Sequence, residues 1–297
     1  MEQWFWLSLL SAALYGATVT LDKINLNKYF KNPLHIIPLN GFVMILLLVL
    51  LGLIIGIPKM PIDILVAAFL SGLIYLLGNI FYYKALFIEE ASNISAFLRL
   101  IPVFVLILGF LFLNERLEVK EYSGIFLLIL GSFGMSMGAK SEFRISKSFF
   151  LMLGASFFYA SWMVIAKYLL NFSDYFTILF YGMLGLSVFS ILTLLSGEYR
   201  KQINLLTKKH PFKPLFLYAL ATVSNLGGEV TALVALSSGF ASFVSALQAS
   251  QILFSMIFGI VLTLTAPYLL KEEITKAALN RKVIFIIVIV IGAYLTS

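Results

Sequence analysis

Ten apolar stretches, each bounded by charge, proline or glycine, run through this chain at residues 4–21, 34–57, 64–86, 91–113, 122–139, 148–170, 175–195, 215–236, 241–265 and 283–297. A helix needs about 20 apolar residues to cross the hydrocarbon core of a bilayer, so ten crossings consume about 200 of the 297 residues and leave only connections. The expected fold class is therefore an all-α polytopic membrane protein. Lipid offers no hydrogen bonds, so each stretch must satisfy its backbone internally as a helix. Composition agrees: 61% of residues are hydrophobic and 12% charged, whereas soluble domains carry about 25% charged residues. The first residues, MEQWFWLSLL, begin with an acid and two tryptophans rather than a basic segment, which predicts a retained first helix with an interfacial aromatic anchor.

The same arithmetic excludes several function classes. The net charge of +7 is spread over short connections, which suits anionic headgroups and speaks against nucleic acid as a partner. With no cysteine, disulfides, thiolate nucleophiles and cysteine-ligated metals are all unavailable. His35 and His210 are the only imidazoles, and both sit beside loops, so no multi-histidine metal site can be built. No GxSxG, Walker A, HExxH or aspartate-rich motif is present. An enzyme is not expected, nor any metal or cofactor.

The chain repeats itself. LSAALYGATVTLDK, ending at Lys23, matches GASFFYASWMVIAK, ending at Lys167, and so sets Tyr15 over Tyr159. ALFIEEASNISAFL from Ala85 lies over the segment from Ala235, and ERL at Glu115 has a counterpart in KEEI at Lys271. The halves divide at 1–143 and 144–297, five stretches each. An odd number of crossings per repeat inverts the second half relative to the first, a symmetry typical of secondary transporters.

An ionisable group at membrane depth costs at least about 2.5 kcal/mol and calls for a reason. Glu229, in SNLGGEVTALVAL, reads as the one carboxylate far from both ends of a stretch; Arg99, in SAFLRLIPVF, is the clearest buried base. Helical spacing adds neighbours on shared faces: Tyr75, Asn79 and Tyr82; Asn225 and Glu229; Gln248, Gln251 and Ser255. The repeat aligns Asn79 with Glu229, and Arg99 with Ala249. At 1.5 Å per residue this predicts two polar layers about 10 Å apart, one basic and one acidic, with Gln248 and Gln251 as the partners of Glu229. Arg99 either meets an anionic group of a solute or ties down carbonyls freed by Pro102. Glu229 either meets an ammonium group or carries a coupling proton. Tyr15 and Tyr159 either wall a cavity or pack a core. Asp22, Lys23 and Lys167 are either interfacial anchors or a gate.

The segment FYYKALFIEEASNISAFLRLIPVFVLILGFLFLNERLEVKEYSGIFLLILGSFGM, with its aromatic helix ending in AL, central proline and acidic turn, resembles the EamA-like members of the drug/metabolite transporter superfamily. Ile252 stands where the first half has Pro102, and TAPYLLKEE lengthens the matching turn. The resemblance implies ten transmembrane helices as two inverted five-helix repeats, with a central cavity lined mainly by the third, fourth, eighth and ninth. It further implies a carrier, working as an exporter or exchanger. One basic and one acidic layer suit a small dipolar organic solute such as an amino acid, and a monomer in the cell membrane is expected. A multidrug or organic-cation exporter, and a non-transporting scaffold or receptor, stand as the alternatives.

Orientation divides the two lines of reasoning. Fifteen of the 21 bases fall on connections that share one side of the membrane. The positive-inside rule puts that side in the cytoplasm and both termini outside, whereas the resemblance implies termini inside. A cytoplasm-only fluorescent reporter inserted in the 197–213 connection is expected to light up; a dark reporter there, bright instead in the connection at residues 58–63, would reverse the assignment.

Overall fold

A computed structural model describes residues 3–28, 32–88, 97–136, 147–201, 213–266, 284–285, 287–292 and 294–295. No strand occurs among them. The helices are α1 (Gln3–Lys28), α2 (Ile36–Ile55), α3 (Ile62–Ile88), α4 (Ile101–Phe112), α5 (Val119–Ser136), α6 (Lys147–Leu169), α7 (Tyr175–Leu192), α8 (Lys213–Ser238), α9 (Ala241–Gln248) and α10 (Gln251–Thr265). The described residues from 284 onward are helical as well. Among the described residues seven helices are long and apolar enough to cross a membrane, taking Ala241–Thr265 as one; Ile101–Phe112 is a shorter apolar helix.

The ninth apolar stretch departs from a single helix. It ends as α9 at Gln248, turns tightly at Ala249 and Ser250, and resumes as α10 at Gln251. At the repeat-equivalent place in the fourth stretch, a 3-10 turn over Leu98–Leu100 precedes α4 at Ile101. Pro102 accounts for the first break, because a proline fits only the opening turn of a helix. The second break has no proline, so packing holds it there: Ala249, Ser250 and α9 from Ala241 to Leu247 are all buried.

Outside, the bundle shows lipid-like surface, with Leu53, Leu195, Phe216 and Leu264 among its exposed side chains. Inside, the buried hydroxyls of Ser8, Thr20, Ser187 and Thr222 each donate to the carbonyl four residues earlier on the same helix, which removes the cost of an unpaired polar group. α1 lies against α8, and its symmetry mate α6 lies against α3. Ser11 donates to the Gly228 carbonyl at 3.0 Å, and Ser224 to the Leu14 carbonyl at 3.0 Å. The residue numbers rise on one helix as they fall on the other, so α1 and α8 are antiparallel. At the crossing of α3 and α7, a Cβ on Gly185 would overlap the Phe69 carbonyl and one on Gly72 the Gly182 carbonyl; only glycine permits that approach.

The start of α7 is fixed by a local cap. Asp174 accepts hydrogen bonds from the amides of Phe176 at 2.9 Å and Thr177 at 3.0 Å, and from the Thr177 hydroxyl at 2.6 Å. Partial burial works against the charge, but these bonds hold the carboxyl below the ordinary carboxylate range. Such a group stabilises the fold above its unfolded-state pKa and loses that effect as pH falls through its folded value. Asp174→Ala is expected to lower thermal stability by about 1 kcal/mol at neutral pH. The gap between variant and parent should close below about pH 4, measured by thermal unfolding in detergent across that range.

Candidate functional site

One face of each of four helices borders a common cavity of about 190 Å³. α1 contributes Tyr15, Thr18, Val19 and Asp22, and α3 contributes Tyr75, Asn79, Tyr82 and Tyr83. α6 contributes Tyr159, Trp162 and Met163; α8 contributes Tyr218, Thr222, Asn225 and Glu229. Each set follows the three-and-four spacing of a single helical face. Gln248 and Gln251 border the cavity from either side of the break between α9 and α10, and Leu98, Ile101 and Pro102 from the matching break. The resemblance implied walls mainly from the third, fourth, eighth and ninth helices. Here α1 and α6 take an equal part, because each lies in the groove beside α8 or α3.

The two repeats are joined across this cavity by a pair of equivalent contacts. Gly228 leaves room for the Tyr15 ring, since a Cβ there would come within 2.8 Å of the ring; Gly78 does the same for Tyr159, at 2.7 Å. Each ring thus lies on the other half's helix and carries its hydroxyl to the next residue along. The Tyr159 hydroxyl donates to Asn79 Oδ1 at 2.8 Å. Tyr15, laid across Gly228, and Tyr75 stand beside the Glu229 carboxyl on the cavity wall. Tyr75 further packs edge-on to Trp162, with ring centres 5.2 Å apart.

Glu229 is 1% exposed, and its Oε2 has no hydrogen-bond partner in this structure. The expected partnership with Gln248 and Gln251 is not what forms: Gln248 donates to the Ser11 hydroxyl at 2.9 Å, and the tyrosines stand against the acid instead. Nor is Glu229 the one acid inside a helix. α1 runs six residues past Asp22, which therefore lies within the helix and faces the cavity. The Arg99 backbone belongs to the turn at Leu98–Leu100, while its side chain and that of Lys23 lie outside the described residues. The basic layer expected from the depth arithmetic accordingly has no described member: among the described residues bordering the cavity there are two carboxyls and no base.

Lys167 faces neither Asp22 nor another carboxylate directly. Its ammonium donates to the carbonyls of Leu236 at 2.5 Å and Gly239 at 2.8 Å, where α8 ends. Opposite it, Glu115 accepts from the amides of Ala241 at 2.6 Å and Ser242 at 3.1 Å, and from the Ser242 hydroxyl at 2.7 Å, which caps α9. Asn114, at φ 54°, turns the chain so that Glu115 is delivered there. A cation on a helix C-terminus and an anion on a helix N-terminus each have the favourable sign for the helix dipole.

Sequence reading did not single out Trp162, Tyr218, Thr222 or Glu115. The first three were legible as extensions of known faces: Trp162 stands three residues after Tyr159, and Tyr218, Thr222, Asn225 and Glu229 fall on one stripe of α8. For Glu115 the signal was the repeated acid after the fourth and ninth stretches, which identifies a recurring part but not what it touches.

The profile of the EamA-like transporter family matches residues 3–137 and again 146–297. A search of curated proteins returns no match. A solved crystal structure of a protein superposes with a TM-score of 0.75 at 14% identity, covering 99% of this chain and 96% of that one. At that identity the likeness concerns the fold alone.

The paired tyrosine and glycine contacts make a direct prediction. Gly228→Ala and Gly78→Ala should each displace the opposing ring and cost about 1–3 kcal/mol, the usual penalty for overpacking. Gly197→Ala, with nothing within 4 Å of the added carbon, should leave the melting temperature in detergent unchanged.

Proposed function

Because the chain belongs to the EamA-like transporter family, and so to the multi-pass membrane transporters, we propose that it is a secondary carrier of a small organic solute bearing an ammonium group. The observation that supports this reading is the Glu229 carboxyl, buried on the cavity wall with one oxygen unpartnered and no described base beside it. An incoming ammonium supplies the missing donor and the missing charge together. The tyrosines and Trp162 around it present π-faces, which attract cations. In the absence of solute a proton neutralises the same carboxyl, so solute and proton compete for one group and exchange becomes possible. A solute that also carries a carboxylate, such as an amino acid, would use the Arg99 guanidinium, whose planar fork binds carboxylates through two bonds.

The cycle is alternating access by two inverted halves, 1–143 and 144–297, with ten crossings in all. The contacts of Tyr15 on Gly228 and Tyr159 on Gly78 support it, since they are alike in geometry and join opposite halves, so that one can loosen as the other tightens. The chain works in the cytoplasmic membrane as a monomer and exports or exchanges its solute. Static scaffolding needs neither the buried carboxyl nor the cavity.

Reconstitution in liposomes tests the reading. The protein should catalyse saturable counterflow of ammonium solutes and accumulate them under an imposed pH difference. Glu229→Gln should fold normally and weaken ammonium binding roughly 10- to 100-fold, the equivalent of about 1.5–3 kcal/mol for a charged hydrogen bond. If the Gln variant exchanges solute at equal pH as well as the parent and loses only pH-driven accumulation, Glu229 carries the proton alone and the ammonium reading fails.

A further inference from the structure

Asp22 is the second carboxyl of the cavity, and the competition at Glu229 does not use it. It sits seven residues beyond Tyr15 on α1, two turns along the face that borders the cavity, which places it about 10 Å from the tyrosine that stands beside Glu229. α8 runs antiparallel alongside. There the Thr18 hydroxyl reaches the Ala221 carbonyl at 3.5 Å, which sets Asp22, one turn further on, level with Tyr218, eleven residues or about 16 Å from Glu229. The two acids therefore mark opposite ends of one cavity.

Both ends are furnished alike. Tyr15 and Tyr75 stand toward Glu229; Tyr82, seven residues past Tyr75 on α3, with Tyr83 and Tyr218, borders the cavity toward Asp22. Tyr159 borders the same cavity on the face of α6 that carries Trp162. The cavity is thus largely aromatic, with a carboxyl toward each end.

We propose that the cavity takes a linear diammonium solute, one ammonium at Glu229, the other at Asp22, and the alkyl chain between them against the aromatic wall. Subtracting a contact of about 2.8 Å at each end from the 10 to 16 Å axial spacing leaves roughly 5–10 Å between nitrogens, the span of a medium-length alkyl chain. This inference rests on the ammonium reading of Glu229 and adds Asp22 to it.

The test is binding to the full chain in lipid nanodiscs, comparing pentylamine with ethylenediamine, cadaverine and octanediamine. Cadaverine should bind at least tenfold more tightly than pentylamine, and ethylenediamine, too short to span the acids, should lose most of that advantage. In Asp22→Asn the cadaverine-to-pentylamine ratio should fall toward one. Asp22→Glu, which keeps the charge on a longer arm, should restore the ratio and shift the optimum toward shorter diamines. A ratio that survives Asp22→Asn, or a parent protein with no preference for diamines, overturns the proposal. Failure of the underlying reading looks different: pentylamine itself would not bind, or Glu229→Gln would bind it as well as the parent, whatever the ratio.

Discussion

The bilayer supplies no hydrogen bonds, and that absence governs how most of the described buried polar groups are disposed, Asn25, Ser190 and Glu229 being left with unpartnered atoms. Hydroxyls fold back on their own helices, Gln248 finds Ser11 across α9 and α1, and Tyr159 finds Asn79 across α6 and α3. The polar atoms left over therefore carry information. In an ordinary soluble core an unpaired carboxyl oxygen could be reached by water; here Glu229 Oε2 is buried at membrane depth and faces a cavity, which is the arrangement expected of a group whose partner comes and goes.

Symmetry makes the departure at Glu229 easy to see. The packing device is identical in the two halves, a tyrosine laid across a glycine of the opposite repeat, and it works with Asn79 on one side as well as with Glu229 on the other. Packing alone therefore does not require an acid. The neutral amide at position 79 accepts from Tyr159 through its oxygen, whereas one oxygen of the Glu229 carboxyl has no partner.

Much of this organisation was legible before the structure. Hydropathy marked the all-helical character and the seven spans described here, and the repeat paired Tyr15 with Tyr159 and Asn79 with Glu229, because both depend on local pattern and constant offset. Helical spacing likewise grouped Tyr75 with Asn79 and Asn225 with Glu229. What depth counting could not supply was azimuth. Residues at one height stand on different helix faces, so Gln248 turned to Ser11 while Tyr15 and Tyr75 turned to the acid. Asp22 stands where the apolar span ends, as hydropathy places it, but the helix itself continues to Lys28 and Asp22 borders the cavity, which a hydropathy boundary does not reveal. The roles of Glu115 and Lys167 depend on contacts more than 60 residues apart in sequence, which no window of local pattern can reveal.

The corner between α8 and α9 is gripped at two points, by Glu115 from the first repeat and Lys167 from the second. A joint clamped on both flanks has no slack of its own, so α8 and α9 behave as one bent bar. The next interruption along the chain is the buried two-residue turn at Ala249 and Ser250 beside the cavity, so a movement of either half that reaches this corner is carried by α9 as a unit to the cavity wall.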